Sequence, residues 1–249
     1  MDELIGKPAI ELFDDDNREI FRGQREQRKQ GKNDAYEITW TKKDGWEICT
    51  IISPSPQFDS KGRFKESIAV VTDITERKQA EEKVQHLANH DELTDLPTLR
   101  LGKDRLSGSI ALARRNKTSV ALLYVDLDGF KGVNDSLGHK AGDLLLNKVA
   151  ERLQQSVRET DTVARIGGDE FIIVLTQIGE KGNAVMFAKK VIERLTRPIR
   201  IDAQDVNISA SIGIAFYPEH GETPDELINQ ADGAMYVVKR KGENSYVIA

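Results

Sequence analysis

Residues 158–175 read RETDTVARIGGDEFIIVL, two apolar runs rich in β-branched residues on either side of a glycine pair. Runs of this kind joined by Gly-Gly are the sequence form of a tight β-hairpin, because both central positions of such a turn need φ above zero. The pattern predicts a turn on Gly167-Gly168 with Asp169 and Glu170 at its tip. Working outward, SVALLYVDLD (119–128) reads as a buried strand ending in Asp126 and Asp128, which lie two residues apart and so point to one face. GHKAGDLLLNKVAERLQQSVRE carries apolar residues at 141, 145, 149 and 153, the spacing of an amphipathic helix. Further helices are expected near 98–115, 183–196 and 224–240, with strands at NISASIGIAFY (207–217) and 245–248. A hairpin set between crossover helices gives an α/β (α+β) fold, a mixed sheet with a βαββαβ core wrapped by helices.

The first third of the chain follows another pattern. YEITW (36–40) and WEICTII (46–52) alternate in character across TKKDG, whose Asp-Gly step predicts a hairpin. A loop containing Pro54, Pro56 and Gly62 leads to a third strand, ESIAVVTDI (66–74), and a helix is expected around 17–30. From Thr75 the chain turns highly charged, with apolar residues at 80, 84 and 87. That narrow stripe belongs either to a solvated connecting rod or to a short contact between two such helices.

Composition narrows the function. The 249 residues are 39% hydrophobic and 31% charged with a net charge of −5, which suits a soluble protein of one or two domains. There is no apolar run of roughly 18 residues for a membrane span, and MDELIGKPAIELFDDD lacks the character of a signal peptide, so a cytoplasmic location without membrane attachment is expected. The single cysteine, Cys49, excludes an internal disulfide and reads as a small strand residue. The acidic balance offers no basic footprint for nucleic acid, so phosphate binding must be local.

Two local features point to such binding. Three or four of Asp126, Asp128, Asp169 and Glu170 converge if the strand lies beside the hairpin, and Mg²⁺ is the hard ion that favours a couple of carboxylates plus phosphate oxygens. The alternative is that these acids merely solubilise strand ends. In DGFKGVNDSLGHKAGD (128–143), Gly129 and Gly132 permit close backbone approach to a phosphate, Lys131 supplies a positive charge, and a helix starts near His139. Asn134 and Asp143 have the groups to read a guanine edge; equally, they suit an ordinary turn and a first-turn helix charge.

In this order the motifs DELTDLP, DLDGFKGVND, LGHKAGD, RIGGDEF, ASIGIA and ADGAMYVVKRKGEN make residues 91–249 resemble the GGDEF family of diguanylate cyclases. Residues 1–75, from LIGKPAIELF to VVTDITERK, are similar to the later portion of a PAS domain, and 76–90 to a signalling helix between the two. The resemblance implies condensation of two GTP into cyclic di-GMP and two pyrophosphates by a homodimer. It implies two Mg²⁺ ions per site, with Mn²⁺ a possible substitute, held by Asp126, Asp169 and the Leu127 carbonyl. Asp169 is then the proton acceptor, with Glu170 as second candidate, and Lys131 stabilises transition-state charge. Phe130, Asn134, His139, Asp143 and Lys239 would bind GTP. Arg158 and Asp161, in RETD five residues before the glycine pair, would form an inhibitory site for cyclic di-GMP. The second reading is a weakly catalytic module that senses cyclic di-GMP or GTP for a partner. Two departures stand out: Glu243 occupies a position where the family usually has Arg, and the PAS portion begins after that domain's first strands.

Overall fold

Alternation along one strand organises the larger part of the molecule. The computed structural model describes residues 8–42, 44–202 and 204–249. Two compact units, residues 1–85 and 86–249, divide the chain.

In the second unit, β4 (Ser119–Asp128) is the middle strand of a five-stranded sheet of order β10-β9-β4-β6-β5. The other strands are β5 (Thr162–Gly167), β6 (Glu170–Ile178), β9 (Ser209–Tyr217) and β10 (Ser245–Ile248), of which β6 and β9 pair with β4; only the β9–β10 pair is parallel. Ala121, Leu123, Val125 and Leu127 share a core with α5 (His139–Gln154) and α6 (Lys181–Thr196). Val120, Leu122 and Tyr124 point the other way, into a core with α3 (Leu99–Asn116) and α7 (Pro224–Lys241). The expected mixed sheet wrapped by helices is thus present, covered on both faces. Val120–Val125 are nearly inaccessible because both faces are covered, which is why the strand reads as an unbroken apolar run rather than an alternating one.

Two glycines bring helices into place. A Cβ on Gly213 of β9 would stand 1.8 Å from the Ala231 carbonyl oxygen, so the missing side chain lets α7 lie against the sheet. Gly138, with φ +84, ends a short helix, α4 (Phe130–Leu137), and starts α5. The sequence pattern predicts no helix before His139; Gly129 and Gly138 nonetheless bracket one of eight residues, with Gly132 inside it, too short to show a period. The small hairpin β7 (Ile199–Ile201) and β8 (Gln204–Val206) was also not foreseen, its strands being only three residues each.

The first unit has a 3₁₀ turn (Ala9–Leu12), α1 (Asp15–Lys29) and an antiparallel sheet of β1 (Tyr36–Thr41), β2 (Glu47–Phe58) and β3 (Phe64–Asp73). Asp14 caps α1 by accepting from the Asn17 N–H at 2.8 Å. The expected hairpin is formed, with Gly45 at φ +84; Lys43 of its loop lies outside the described residues. Pro54 and Pro56, expected in a loop, lie inside β2. β1 ends at Tyr36 opposite Ile52, so beyond that point β2 has β3 as its neighbour and an open edge, where a proline is tolerated. Phe13, Ile38 and Ile52 are buried, with Phe21, Tyr36 and Trp40 packed on them. Cys49 sits half-buried in β2 with Sγ 3.8 Å from Thr39 Oγ1, as a small strand residue should. α2 (Thr75–Asn89) follows and spans the division between the units; Val84 and Leu87 of its stripe are exposed. No helix among the described residues is long and apolar enough to cross a membrane.

Candidate active site

The even-numbered residues of β4 face α7, and this places Asp126 and Asp128 together as expected. Their environments differ sharply. Asp128 is 3% exposed and accepts from Ser209 Oγ (2.7 Å), Ser211 Oγ (2.8 Å) and the Asn244 N–H (3.0 Å). Burial alone would raise its pKa, yet Lys239 at 2.9 Å and these donors hold the carboxyl below its ordinary value. It is a strut joining β4, β9 and the segment after α7. Asp126 keeps only the Lys239 ammonium, 2.5 Å from Oδ1 and off a hydrogen-bonding direction. Burial pushes its pKa up, against Lys239 and with help from the charges of Asp169 and Asp128. Of the three or four acids expected to converge, three do, Asp126, Asp169 and Glu170, with Asp128 committed elsewhere.

The turn also differs from expectation. Gly167 pairs with Glu170, so the central pair is Gly168-Asp169 rather than Gly167-Gly168. An irregularity between Arg165 and Gly167 shifts the register, and Gly168 alone of the two has positive φ, +52, the requirement of a II′ turn. The Asp169 carbonyl accepts from the Leu127 N–H at 3.2 Å, tying the turn to the end of β4. Glu170 lies opposite Asp126. Burial raises its pKa, the Tyr124 hydroxyl opposes by donating to it, and Asp126, Asp232 and Asp169 raise it further. Burial, with the Glu170 charge, keeps the Tyr124 phenol protonated far above its ordinary range, so it remains a donor.

Sequence reasoning missed the device that holds this turn. Arg165 donates through Nε and Nη2 to the Gly168 carbonyl (3.1 and 2.8 Å) and through Nη1 to Asp91 Oδ1 (2.7 Å). The ion pair is largely buried, at 11% and 25% side-chain exposure, and Asp91 also accepts from Thr94 N and Oγ1. Both residues stand in quoted motifs, DELTDLP and RIGGDEF, but 74 positions of sequence separate them. Asp232 and Tyr124 were missed for the same reason, since only packing brings them to Glu170.

The other candidates are spread over neighbouring elements. Lys131 is exposed in the first turn of α4, beside half-buried Phe130; His139 and Asp143 are exposed in the first turns of α5. Asn134 lies over Gly142, where a Cβ would come within 1.9 Å of its Oδ1, and that buried oxygen has no hydrogen-bond partner. Lys239 sits at the acids themselves. Arg158 and Asp161 line a cleft of about 320 Å³ with Asn183, Met186 and Phe187. Asp161 accepts from Thr176 N (3.0 Å), Thr176 Oγ1 (3.3 Å) and Arg158 N (3.2 Å), so much of its capacity serves its own turn, while the Arg158 guanidinium faces solvent. Glu243 is exposed, with φ +63, just past the end of α7.

Among the described residues no three His, Cys, Asp or Glu side chains are placed to hold a metal ion by themselves. The donors fit a hard cation nonetheless: Asp126 is a partly buried carboxylate with a cation already against it, and Mg²⁺ commonly takes one or two carboxylates and completes its shell with phosphate oxygens and water.

An acid-tipped hairpin beside the central strand of a helix-covered mixed sheet defines the class, and comparison with known proteins names it. Residues 88–245 match the model of the diguanylate cyclase GGDEF domain, and residues 1–76 that of a PAS domain. The chain belongs to the GGDEF family. It is 47% identical over 172 residues to the bifunctional diguanylate cyclase/cyclic di-GMP phosphodiesterase MucR of Pseudomonas aeruginosa, covering 69% of this chain and 25% of MucR. It is 42% identical to the diguanylate cyclase TpbB of the same organism, covering 66% of this chain and 38% of TpbB. The solved GGDEF domain of TpbB superposes with TM-score 0.63 at 42% identity, covering 64% of this chain and 94% of that one. The coiled coil and GGDEF domain of DgcB from Caulobacter crescentus, solved with cyclic di-GMP, gives 0.64 at 26% identity, covering 71% and 93%. The chain thus spans about a quarter to two-fifths of the length of these curated relatives.

Proposed function

We propose that this chain condenses two molecules of GTP into cyclic di-GMP with release of two pyrophosphates. The observation that carries the reading is the set of three under-satisfied acids, Asp126, Asp169 and Glu170, at the strand end that leads into the N-terminus of α4. Helix N-termini favour phosphate, and Lys131 in the first turn of α4 adds charge for the transition state. Asn134 and Asp143 offer an acceptor pair to the guanine edge, and the orphaned Asn134 Oδ1 supports a ligand there. Phe130 and His139 would be further contacts to the nucleotide on this reading. Asp126 and Asp169, with the Leu127 carbonyl, would hold divalent metal, two Mg²⁺ ions per site on this reading, with Mn²⁺ an alternative; the chemistry supplied there would be a lowered pKa for the attacking hydroxyl and charge to offset the leaving pyrophosphate. Glu170, with its raised proton affinity and the Tyr124 hydroxyl to orient it, suits the proton acceptor better than Asp169. Lys239 would transfer from Asp126 to a terminal phosphate as the nucleotide arrives.

One site holds one GTP, and the product has approximate two-fold symmetry, so each reacting hydroxyl must come from a second copy. The exposed stripe of α2 supports a homodimer whose spacing that helix sets, in the cytoplasm, with the PAS portion as sensor. Arg158 and its cleft support product inhibition. The sensor-only reading draws on Glu243, an acid near the phosphate-binding Lys239. Incubating the protein with GTP and Mg²⁺ and resolving products by mass separates the two: cyclic di-GMP, absent with Asp169→Ala, is expected, and none at high protein concentration defeats the enzyme reading. Glu243→Arg should lower KM several-fold by adding a phosphate partner worth about 1 kcal/mol; an unchanged KM removes Glu243 from the site.

A further inference from the structure

The first unit contains a charge that nothing among its described residues balances. Arg28, on α1, is 8% exposed, and its Nε is a buried donor without an acceptor. Its guanidinium lies over the rings of Phe21 (5.6 Å) and Tyr36 (5.4 Å) and donates to the Tyr36 hydroxyl. That phenol is no counter-charge, because burial raises its pKa and keeps it neutral despite the arginine. Leaving a guanidinium desolvated without an anion is costly, and such charges are normally paired.

The neighbours deepen the imbalance. Arg22, Arg25 and Arg28 recur at helical spacing on α1, so consecutive turns present cations to one side. Their helix-mates behave differently: Arg18 pairs with Asp15 (2.8 Å) and Lys29 with Glu26 (2.7 Å), whereas the three between have no carboxylate partner among the described residues. All three line a cleft of about 440 Å³ whose opposite wall is the start of β3, with Phe64 and Lys65. The only acid among the described residues that line it, Glu66, stands 3.6 Å from Lys65 and is answered by it. Among the described lining residues, four cations, one acid and two phenylalanines make a pocket for a molecule that carries more than one carboxylate on an apolar body.

We propose that this cleft binds a small organic polycarboxylate, with Arg28 as the buried anchor and Arg22 and Arg25 closing on the second carboxylate. A planar carboxylate matches the guanidinium fork, and an apolar or aromatic body matches Phe21 and Phe64.

Calorimetry on the full chain at 0.15 M salt, with benzene-1,3-dicarboxylate, succinate and inorganic phosphate as separate probes, tests it. The aromatic dicarboxylate should bind with Kd on the order of 100 μM or tighter, succinate more weakly and phosphate weakest. Arg28→Met should weaken the dicarboxylate by at least about 30-fold without loss of thermal stability, since it removes an unpaired buried charge. The double variant Arg22→Gln/Arg25→Gln, at exposed positions that leave folding intact, should weaken it by roughly 10-fold. Heat from none of the probes, phosphate binding as tightly as the dicarboxylate, or dicarboxylate binding unchanged in the double variant would each overturn the proposal.

Discussion

Asp126 and Asp161 stand at the ends of strands in one sheet, and they are treated in opposite ways. Asp161 gives three acceptor sites to the N–H and hydroxyl groups of its own turn and of β6. Asp126 receives a single misaligned ammonium and keeps a raised pKa. A carboxylate whose oxygens are answered by nearby donors is part of the frame, whereas one left partly unanswered under burial is held ready for a cation or substrate. The same contrast separates Asp128 from Asp126 over only two residues.

The strongest way to break this comparison is to exchange charge for amide at those two positions. Asp126→Asn should lower product formation by at least about 10³-fold while leaving the melting temperature unchanged or higher, because it relieves repulsion with Asp169 and Glu170. Asp128→Asn should cost roughly 1–3 kcal/mol of stability by disturbing a buried network. Equal effects on turnover and stability in both variants would remove the distinction.

Next in size is the clamp on the turn. Arg165→Ala frees the Gly168 carbonyl and leaves Asp91 unpaired, and kcat should fall about 10- to 100-fold with KM little changed, since a misplaced turn harms the transition state more than substrate binding. A fall in stability with kcat unchanged would reduce Arg165 to a structural role.

Smaller effects are expected in the 158–161 turn. Asp161→Ala should destabilise by about 1–2 kcal/mol and relax inhibition by added cyclic di-GMP; Arg158→Ala should relax inhibition about 10-fold with stability within roughly 0.5 kcal/mol. Inhibition that survives Arg158→Ala would detach that cleft from the product.

The smallest effect is in pH. His220 Nδ1 accepts from the Phe216 N–H at 3.0 Å, and burial together with the Lys181 charge lowers its pKa. The folded state therefore binds the proton less readily than the unfolded one, and this contribution, complete above about pH 6.5, is lost as pH falls through the lowered folded value. Melting followed from pH 7.5 to 5.5 should show a modest decline that His220→Gln flattens.

Much of this molecule could be read in one dimension. The apolar run of β4, the helical period of α5 and the glycine pair at the hairpin are local signals, and these elements, like α3, α6 and α7, formed within a few residues of expectation. Three kinds of feature were not legible. α4 and the β7–β8 hairpin are too short to carry a period. The prolines in β2 are acceptable only because β1 ends where it does. The turn moved by one residue because an irregularity in β5 changed its register.

The division of labour at the site follows the same line. Residue types and spacing alone determined that two carboxylates share a face at the end of one strand, that a glycine segment follows them and that a hairpin carries two more acids, because strand parity and turn chemistry depend on neighbours in sequence; that the strand lies beside the hairpin came from sheet pairing. Which carboxylate is free was decided only by tertiary structure: Ser209, Ser211 and Asn244 satisfy Asp128, Thr176 satisfies Asp161, and Arg165 reaches across 74 residues to fasten the turn. Satisfaction of a buried charge depends on donors that packing alone brings within 3 Å, and no reading of adjacent residues contains it.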